Sequence, residues 1–297
     1  MSIGIPFITL ILLALGVALV SALVSVTRTV RMPSDDLLAL RTTARRTLLA
    51  RITGLAVGIG AACLTAGTGG LGRGPMLAAP ALGLCLILGT LTGELAAKPP
   101  GGPIRGAALE TRKIRHYLPR FSASLAAALS MITIGLLAVT VSTASADDMG
   151  RPGRSLVAHN PDGTVSQSTG PWPGWFYAWP ILAALVGALL LSALVMHRIV
   201  RRGRPGLDPA ARAVDEAQRA HSARVVTAAY GLCVALPLGG IALTAAAAVN
   251  NSAYLPGWTV IAAPILGGVA LLSAGSAIWY LAELLSAPKV KPRVRAS

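Results

Sequence analysis

The sequence predicts an all-α membrane protein, a polytopic bundle of seven transmembrane helices. The chain has 297 residues, of which 54% are hydrophobic and only 12% charged, whereas soluble domains carry about 25% charged residues. Several stretches of at least twenty residues contain no charged side chain. Such a stretch is long enough, as a helix, to cross a hydrocarbon core of about 30 Å. This composition excludes a soluble two-domain enzyme.

The charge-free stretches place the helices in order along the chain. The last stretch, 225–282, is too long for one helix, and the polar, turn-forming sequence NNSAYLPG at 250–257 divides it. The seven predicted spans lie near 3–26, 52–70, 75–95, 121–145, 175–196, 225–249 and 258–284.

The basic residues predict how the helices are oriented. The net charge is +15, and 23 of the 26 Lys and Arg side chains fall in the loops 27–51, 94–120 and 197–224 and in the tail 283–297. By the positive-inside rule these segments are cytoplasmic, so the N-terminus lies outside and the protein belongs to the plasma membrane. We expect the bilayer itself, and anionic lipid headgroups at this face, as partners. Nucleic acid is not expected, because no aromatic stacking surface accompanies the charge.

Two similar segments indicate an internal repeat. GVALVSALV at 16–24 and GALLLSALV at 187–195 share six of nine residues, and LAAPALG at 77–83 resembles IAAPILG at 261–267. Ala50-Arg51 with Ala223-Arg224, and GELAAKP with AELLSAPK, continue the match in the same order. The chain therefore divides into a first three-helix repeat with its cytoplasmic linkers (1–120), a linker helix with an outer loop (121–174) and a second repeat with a basic tail (175–297).

Because one linker helix separates the two repeats, both have the same orientation in the membrane. This parallel layout of three, one and three helices resembles the SWEET sugar transporters in architecture only. The sequence motifs of that family are absent, so no residue role is transferred. The resemblance implies a pathway between the repeats.

The cytoplasmic linkers contain helix-forming sequence. Segments 33–51 and 206–224 are expected to run without a break into the second and sixth spans, with Asp208 as N-cap and Pro209 as the first helical residue. The linker GELAAKPPGGPIRGAALETRKIRHYLPR at 93–120 resembles loops of uncharacterised multi-pass membrane proteins of high-GC Gram-positive bacteria. An excess of 22 Arg over 4 Lys fits a bacterial source of that kind.

The outer loop, residues 146–174, contains the one predicted sheet. SLVAH, NPDG and TVSQS have the pattern of a small β-hairpin, with alternating residues on either side of a turn. Its acidic residues lack the spacing of a calcium-binding loop, so a solvated turn is favoured. An aromatic belt at the outer interface is expected from Trp172, Trp175, Phe176, Tyr177 and Trp179.

The sequence contains no catalytic, cofactor-binding or metal-binding motif, and we expect a protein that is not an enzyme. No ionisable residue lies at mid-membrane depth, where transporters and pumps usually carry one. Glu94 and Glu283 lie at the cytoplasmic ends of the equivalent third and seventh spans. A paired interfacial site is one interpretation. The favoured one is that each glutamate pairs with a nearby basic residue such as Lys98 or Lys289.

Small residues and prolines complete the set of candidate positions. A helix-packing face of the second span is formed by residues at every fourth position, namely Gly54, Gly58, Ala62 and Ala66. Packing inside the monomer is favoured over a dimer seam. Pro80 and Pro264 occupy matching places and are candidate helix kinks that would free backbone carbonyls.

Two hypotheses about function follow. The first is a non-enzymatic accessory component whose cytoplasmic linkers bind a protein partner. The second is a permease for a small neutral or weakly polar solute that moves between the two repeats.

Overall fold

The computed structural model describes residues 38–68, 73–96, 114–159, 164–202, 209–251, 257 and 259–285. Six helices in these ranges are long and apolar enough to cross a membrane, which confirms a helical multi-pass membrane protein. They are α1 (Leu38–Gly67), α2 (Arg73–Ala96), α3 (Arg120–Ser142), α4 (Trp175–Arg201), α5 (Pro209–Asn250) and α6 (Thr259–Leu285). Each overlaps a predicted span, and the remaining predicted span, 3–26, lies outside the described residues.

Two helices are much longer than the membrane requires. α1 has 30 residues and α5 has 42, so at 1.5 Å per residue they measure about 45 and 63 Å against a hydrocarbon core of about 30 Å. Within the described residues, the linker segments 38–51 and 209–224 run directly into the second and sixth spans, as predicted. Residues 33–37 and 206–208, with the predicted N-cap Asp208, lie outside the described residues. α5 begins at Pro209, as predicted, because proline at the first helical position forfeits no intrahelical hydrogen bond.

The helices pack around α5. α1 packs on α2, α6 packs on α5, and α2 contacts both α4 and α5. The core between them is apolar, with fully buried side chains that include Ile87, Leu129, Ile181, Val226 and Leu238. A second apolar cluster joins Trp172 and Leu156 of the outer loop to α5 and α6. α5 is the most buried of the six helices, whereas α1, α3 and α6 leave most of the residues of their spans outside the core.

α1 and α2 approach so closely that their backbones touch. A Cβ atom on Gly54 would lie 2.8 Å from the Cys85 carbonyl oxygen and 2.8 Å from Gly89 Cα. On Gly58 it would lie 3.0 Å from the Leu82 carbonyl oxygen. Ala62 is buried and Ala66 is half-buried. The structure therefore places the glycines of the predicted packing face in a contact within the chain.

The two prolines singled out in the sequence lie inside continuous helices. α2 continues past Pro80 and α6 past Pro264. Pro80 is buried, with its carbonyl oxygen 3.9 Å from Cys233 Sγ, whereas Pro264 is exposed. A role for either as a kink stays a prediction.

The outer loop forms the predicted hairpin. β1 (Leu156–His159) and β2 (Val165–Thr169) are antiparallel, with Leu156 opposite Thr169. The turn at 160–163 lies outside the described residues. The hairpin confirms that alternating residues around NPDG direct a local two-stranded sheet.

The aromatic belt differs from the expectation at two positions. Trp175 and Trp179 are exposed, but Trp172 and Tyr177 are buried at 3% and 1% exposure. Trp172 Nε1 donates a hydrogen bond of 2.8 Å to the Thr140 carbonyl oxygen near the end of α3. Since that carbonyl is among those left free at a helix C-terminus, the indole N–H has a partner inside the protein.

Asp147 organises the start of the outer loop. Its carboxylate accepts hydrogen bonds from the backbone N–H groups of Met149 and Arg151 and from Arg151 Nε. Desolvation acts to raise its pKa, but the hydrogen bonds and charge of Arg151, together with the Met149 N–H, outweigh it. The pKa of Asp147 therefore lies below its ordinary value of 3.8.

This shift predicts a loop that loosens in acid. Because the folded-state pKa is below the ordinary value, the stabilisation is complete above pH 3.8 and is lost as the pH falls through the folded-state value. We expect limited proteolysis of residues 144–174 to accelerate in that range. Asp147→Asn should be cleaved faster at neutral pH. The neighbouring exposed Asp148→Asn should behave as the native protein, and equal cleavage of the two variants would contradict the assignment.

Candidate functional site

A buried ionic network joins four helices at the end of the bundle that the sequence assigns to the cytoplasm. It contains Arg51 of α1, Glu94 of α2, Arg202 at the end of α4, and Asp215 and Arg219 of α5. The Glu94 side chain is 1% exposed and that of Arg219 is 0% exposed. Charged side chains are almost never buried to this degree unless they are paired.

Glu94 lies at the centre of the first half of the network. Its Oε2 accepts a hydrogen bond of 3.0 Å from Arg202 Nη1, and its Oε1 accepts one of 2.6 Å from Ser222 Oγ. Ser222 Oγ in turn accepts a 2.6 Å hydrogen bond from Arg51 Nη2, which lies 3.9 Å from Glu94 Oε1. One carboxylate thus connects α2 to α1, α4 and α5.

Asp215 holds the second half together. Its Oδ1 accepts a 2.6 Å hydrogen bond from Arg202 Nη2, and its Oδ2 accepts one of 2.7 Å from Arg219 Nε. Arg202 therefore bridges the two buried carboxylates. Asp215 and Arg219 are four residues apart on α5, the spacing that brings side chains together on one helix face.

Arg219 also closes the C-terminal end of α4. Its Nη1 donates to the Ile199 carbonyl oxygen at 2.8 Å, and its Nη2 donates to the Arg202 carbonyl oxygen at 2.8 Å. The last carbonyls of a helix have no partner inside the helix and carry a partial negative charge. A buried guanidinium at this point satisfies both the hydrogen bonds and the charge.

The two predicted glutamates have separate partners. Glu94 binds arginines from other helices, and its expected partner Lys98 lies outside the described residues. Glu283 Oε1 accepts a 2.8 Å hydrogen bond from Ser122 Oγ at the start of α3. Ser122 also accepts hydrogen bonds from Trp279 and Tyr280, which fastens the end of α6 to α3. Lys289 also lies outside the described residues, and a shared function of the two glutamates stays a prediction.

Sequence reasoning missed most of this network. It assigned Arg51, Arg202 and Arg219 to topology alone and gave Asp215 no role. Two signals were available: the i, i+4 pair Asp215–Arg219, and the rarity of acidic residues in strongly basic linkers. The partners of Glu94 come from residues 43 to 128 positions away in sequence, and only the packing of the helices brings them together.

The surface around the network is strongly basic. Glu94 and Asp215 are buried against arginines, so their charges do not neutralise the surrounding surface. Within the described ranges, this end exposes one acidic side chain, Glu216, against the exposed arginines Arg45, Arg46, Arg115, Arg120, Arg198 and Arg201. The network itself buries three arginines with two acids, and the arginines that remain exposed make this end of the bundle basic.

The described residues form a network that joins helices to one another. They contain no group of three or more His, Cys, Asp or Glu side chains that could hold a metal ion. The cysteines at 63, 85 and 233 are free thiols, and Cys233 is buried. No family model, curated protein or solved structure matches the chain.

Proposed function

We propose that the protein is a non-enzymatic accessory component of the plasma membrane whose basic cytoplasmic face binds a protein partner with an acidic surface. The exposed arginines at this end of the bundle carry this proposal, since the described residues expose one acidic side chain, Glu216, beside them. Such a surface attracts an acidic partner over a distance of about 8 Å at physiological salt.

The proposed orientation supports a cytoplasmic partner. The network unites Arg51 of α1 and Asp215 of α5 with the ends of α2 and α4, and the sequence assigns all of these positions to the side that holds 23 of the 26 basic residues. The packed pairs α1–α2 and α5–α6 are the equivalent parts of the two proposed parallel repeats. With the predicted span 3–26, the proposed architecture has seven spans and a pseudo-twofold axis.

Contacts of the network also join the helices that carry this surface. Arg51 of α1 lies 3.9 Å from Glu94 of α2, and Asp215 of α5 binds Arg202 at the end of α4. Preorganised side chains lose less conformational entropy on binding. Anionic lipid headgroups are secondary ligands of the same charges.

A permease remains the alternative function, with weaker support. The described cavity, of about 490 Å³, lies between α3 and α4 and has an apolar lining. The contact of α2 with α5 is filled by side chains such as Ile87, Ala229 and Cys233, all at 0% exposure. A polar solute would have no hydrogen-bonding pathway in that contact.

Isolation of the protein from its native membrane in mild detergent tests the proposal. We expect one stoichiometric partner, released by raised salt. The double variant Arg45→Gln/Arg46→Gln should lower its recovery about tenfold, since two exposed ion pairs together contribute up to about 2 kcal/mol. Arg151→Gln at the opposite end should retain the partner.

Recovery of the protein alone from cross-linked native membranes would overturn the proposal. Solute flux in proteoliposomes above that of empty liposomes, combined with the absence of a partner, would favour the permease instead.

A further inference from the structure

An apolar groove opens between α3 and α4. Its volume is about 490 Å³, within the range of about 300–1,000 Å³ typical of small-molecule sites. The walls include Ala127 and Ile134 of α3 and Leu189 and Ala193 of α4, and the floor includes Val226 and Tyr230 of α5. The groove lies between α3 and α4 because these two helices make few contacts with each other.

In a membrane this groove is a site for hydrocarbon. Its lining offers few groups that could hydrogen-bond to water, and water gains nothing from entering such a space. An unfilled groove would forfeit the dispersion contacts of every lining side chain. A flexible acyl chain satisfies both conditions.

The groove also contains polar groups that would orient an amphiphile. Ser192 lines it, is 8% exposed, and its hydroxyl oxygen has no hydrogen-bond partner. The hydroxyls of Ser130 and Tyr230 lie 3.0 Å apart in the same lining. A buried hydroxyl in an apolar site favours a ligand with a hydrogen-bond acceptor, such as the ester carbonyl of a glycerolipid.

One mouth of the groove, at Leu118, has two exposed arginines and one exposed carboxylate, Glu216, beside it. Leu118 lines this end, and the exposed side chains Arg115 and Arg120 lie on either side of it in sequence. Tyr117, next to Leu118, is joined to α5 by a 2.8 Å hydrogen bond from its Oη to Glu216 Oε1. The two guanidinium groups therefore complement a phosphate at the headgroup level.

We propose that the α3–α4 groove binds one anionic phospholipid, with an acyl chain between the two helices and its phosphate at Arg115 and Arg120. The groove does not depend on the partner surface, but Arg115 and Arg120 belong to both, so the partner test uses Arg45 and Arg46 instead. Only its assignment to the cytoplasmic leaflet rests on the proposed orientation.

Two adjacent alanines of α3 allow a matched test. Ala127 and Ala128 are both exposed, but only Ala127 lines the groove. In native mass spectrometry of the purified full chain, we expect one phosphatidylglycerol to be retained. Ala127→Phe should reduce its retention at least tenfold, whereas Ala128→Phe should leave it unchanged.

A second experiment tests whether the site binds the phosphate of a lipid headgroup or a free phosphate. Arg115→Gln/Arg120→Gln should reduce the preference for phosphatidylglycerol over phosphatidylcholine to less than twofold while an acyl chain still binds. Glycerol phosphate, which has the phosphate but no acyl chain, should not compete.

Three results would overturn the proposal. They are equal retention by the Ala127 and Ala128 variants, full competition by glycerol phosphate, and disulfide cross-linking of Ala127→Cys to cysteines placed in 3–26, which would show that this segment fills the groove. Loss of the protein partner with retained lipid would instead affect only the proposed function.

Discussion

Glu94→Gln is expected to lower the free energy of unfolding by about 3–5 kcal/mol, the usual cost of removing one member of a buried ion pair. The amide keeps the shape of the carboxylate but removes the charge that faces Arg202 at 3.0 Å and Arg51 at 3.9 Å. Both guanidinium groups then stay buried with one counter-ion fewer, although Arg202 retains its ion pair with Asp215. The variant should lose the connection between α2 and the other three helices first.

The buried thiol of Cys233 provides the measurement. In a Cys63→Ala/Cys85→Ala background, its reaction with a maleimide during denaturation reports the opening of the core, because Cys233 is 0% exposed in the fold. Glu216→Gln is the matched control, an exposed glutamate at the same end of the bundle. It should cost less than about 1 kcal/mol.

A double substitution tests whether Glu94 and Arg51 interact in the folded protein. Combining Glu94→Gln with Arg51→Met removes one of the two cations that have lost their counter-ion, so the combined loss should be smaller than the sum of the single losses. The expected coupling is about 0.5–3 kcal/mol, as for residues in one network. Strict additivity would mean that Glu94 and Arg51 do not interact in the folded protein.

The structural features that the sequence predicted correctly are those set by residues close together in the chain. The helices α1 to α6, the start of α5 at Pro209 and the hairpin all follow from local apolar length, a proline or a turn motif. The ionic network depends on which helices pack together, and the residues at 51, 94, 202 and 215 lie on three helices and one helix end. A charge count locates these residues at one end of the bundle but cannot show which of them face inward.

The aromatic positions show the same limit at the opposite end. The sequence assigns Trp172 and Tyr177, with their aromatic neighbours, to the outer interface. Both lie near the start of α4, at the end of that helix opposite the ionic network. Whether such a side chain faces lipid or protein depends on the partner available, here the Thr140 carbonyl for Trp172. For Tyr177, the side of α4 on which the side chain lies decides its burial, and helix packing sets that side.

The backbone contact between α1 and α2 predicts the other large effect. A Cβ atom at position 89 would lie 2.7 Å from the Ala50 carbonyl oxygen and 2.8 Å from Gly54 Cα, both backbone atoms that cannot rotate away. Gly89→Ala should therefore force α1 and α2 apart and cost about 1–3 kcal/mol, against the stabilisation of up to about 1 kcal/mol that alanine brings to a free helical position.

Gly60→Ala provides the opposite result in the same helix pair. Nothing lies within 4 Å of a Cβ atom at that position, so this variant should be as stable as the native protein or slightly more stable. If the two variants unfolded alike in the Cys233 assay, the close packing of α1 on α2 would be disproved. Because that contact sets how far Arg51 lies from Glu94, Gly89→Ala should also reduce the coupling between these two residues, which links the packing of α1 on α2 to the ionic network.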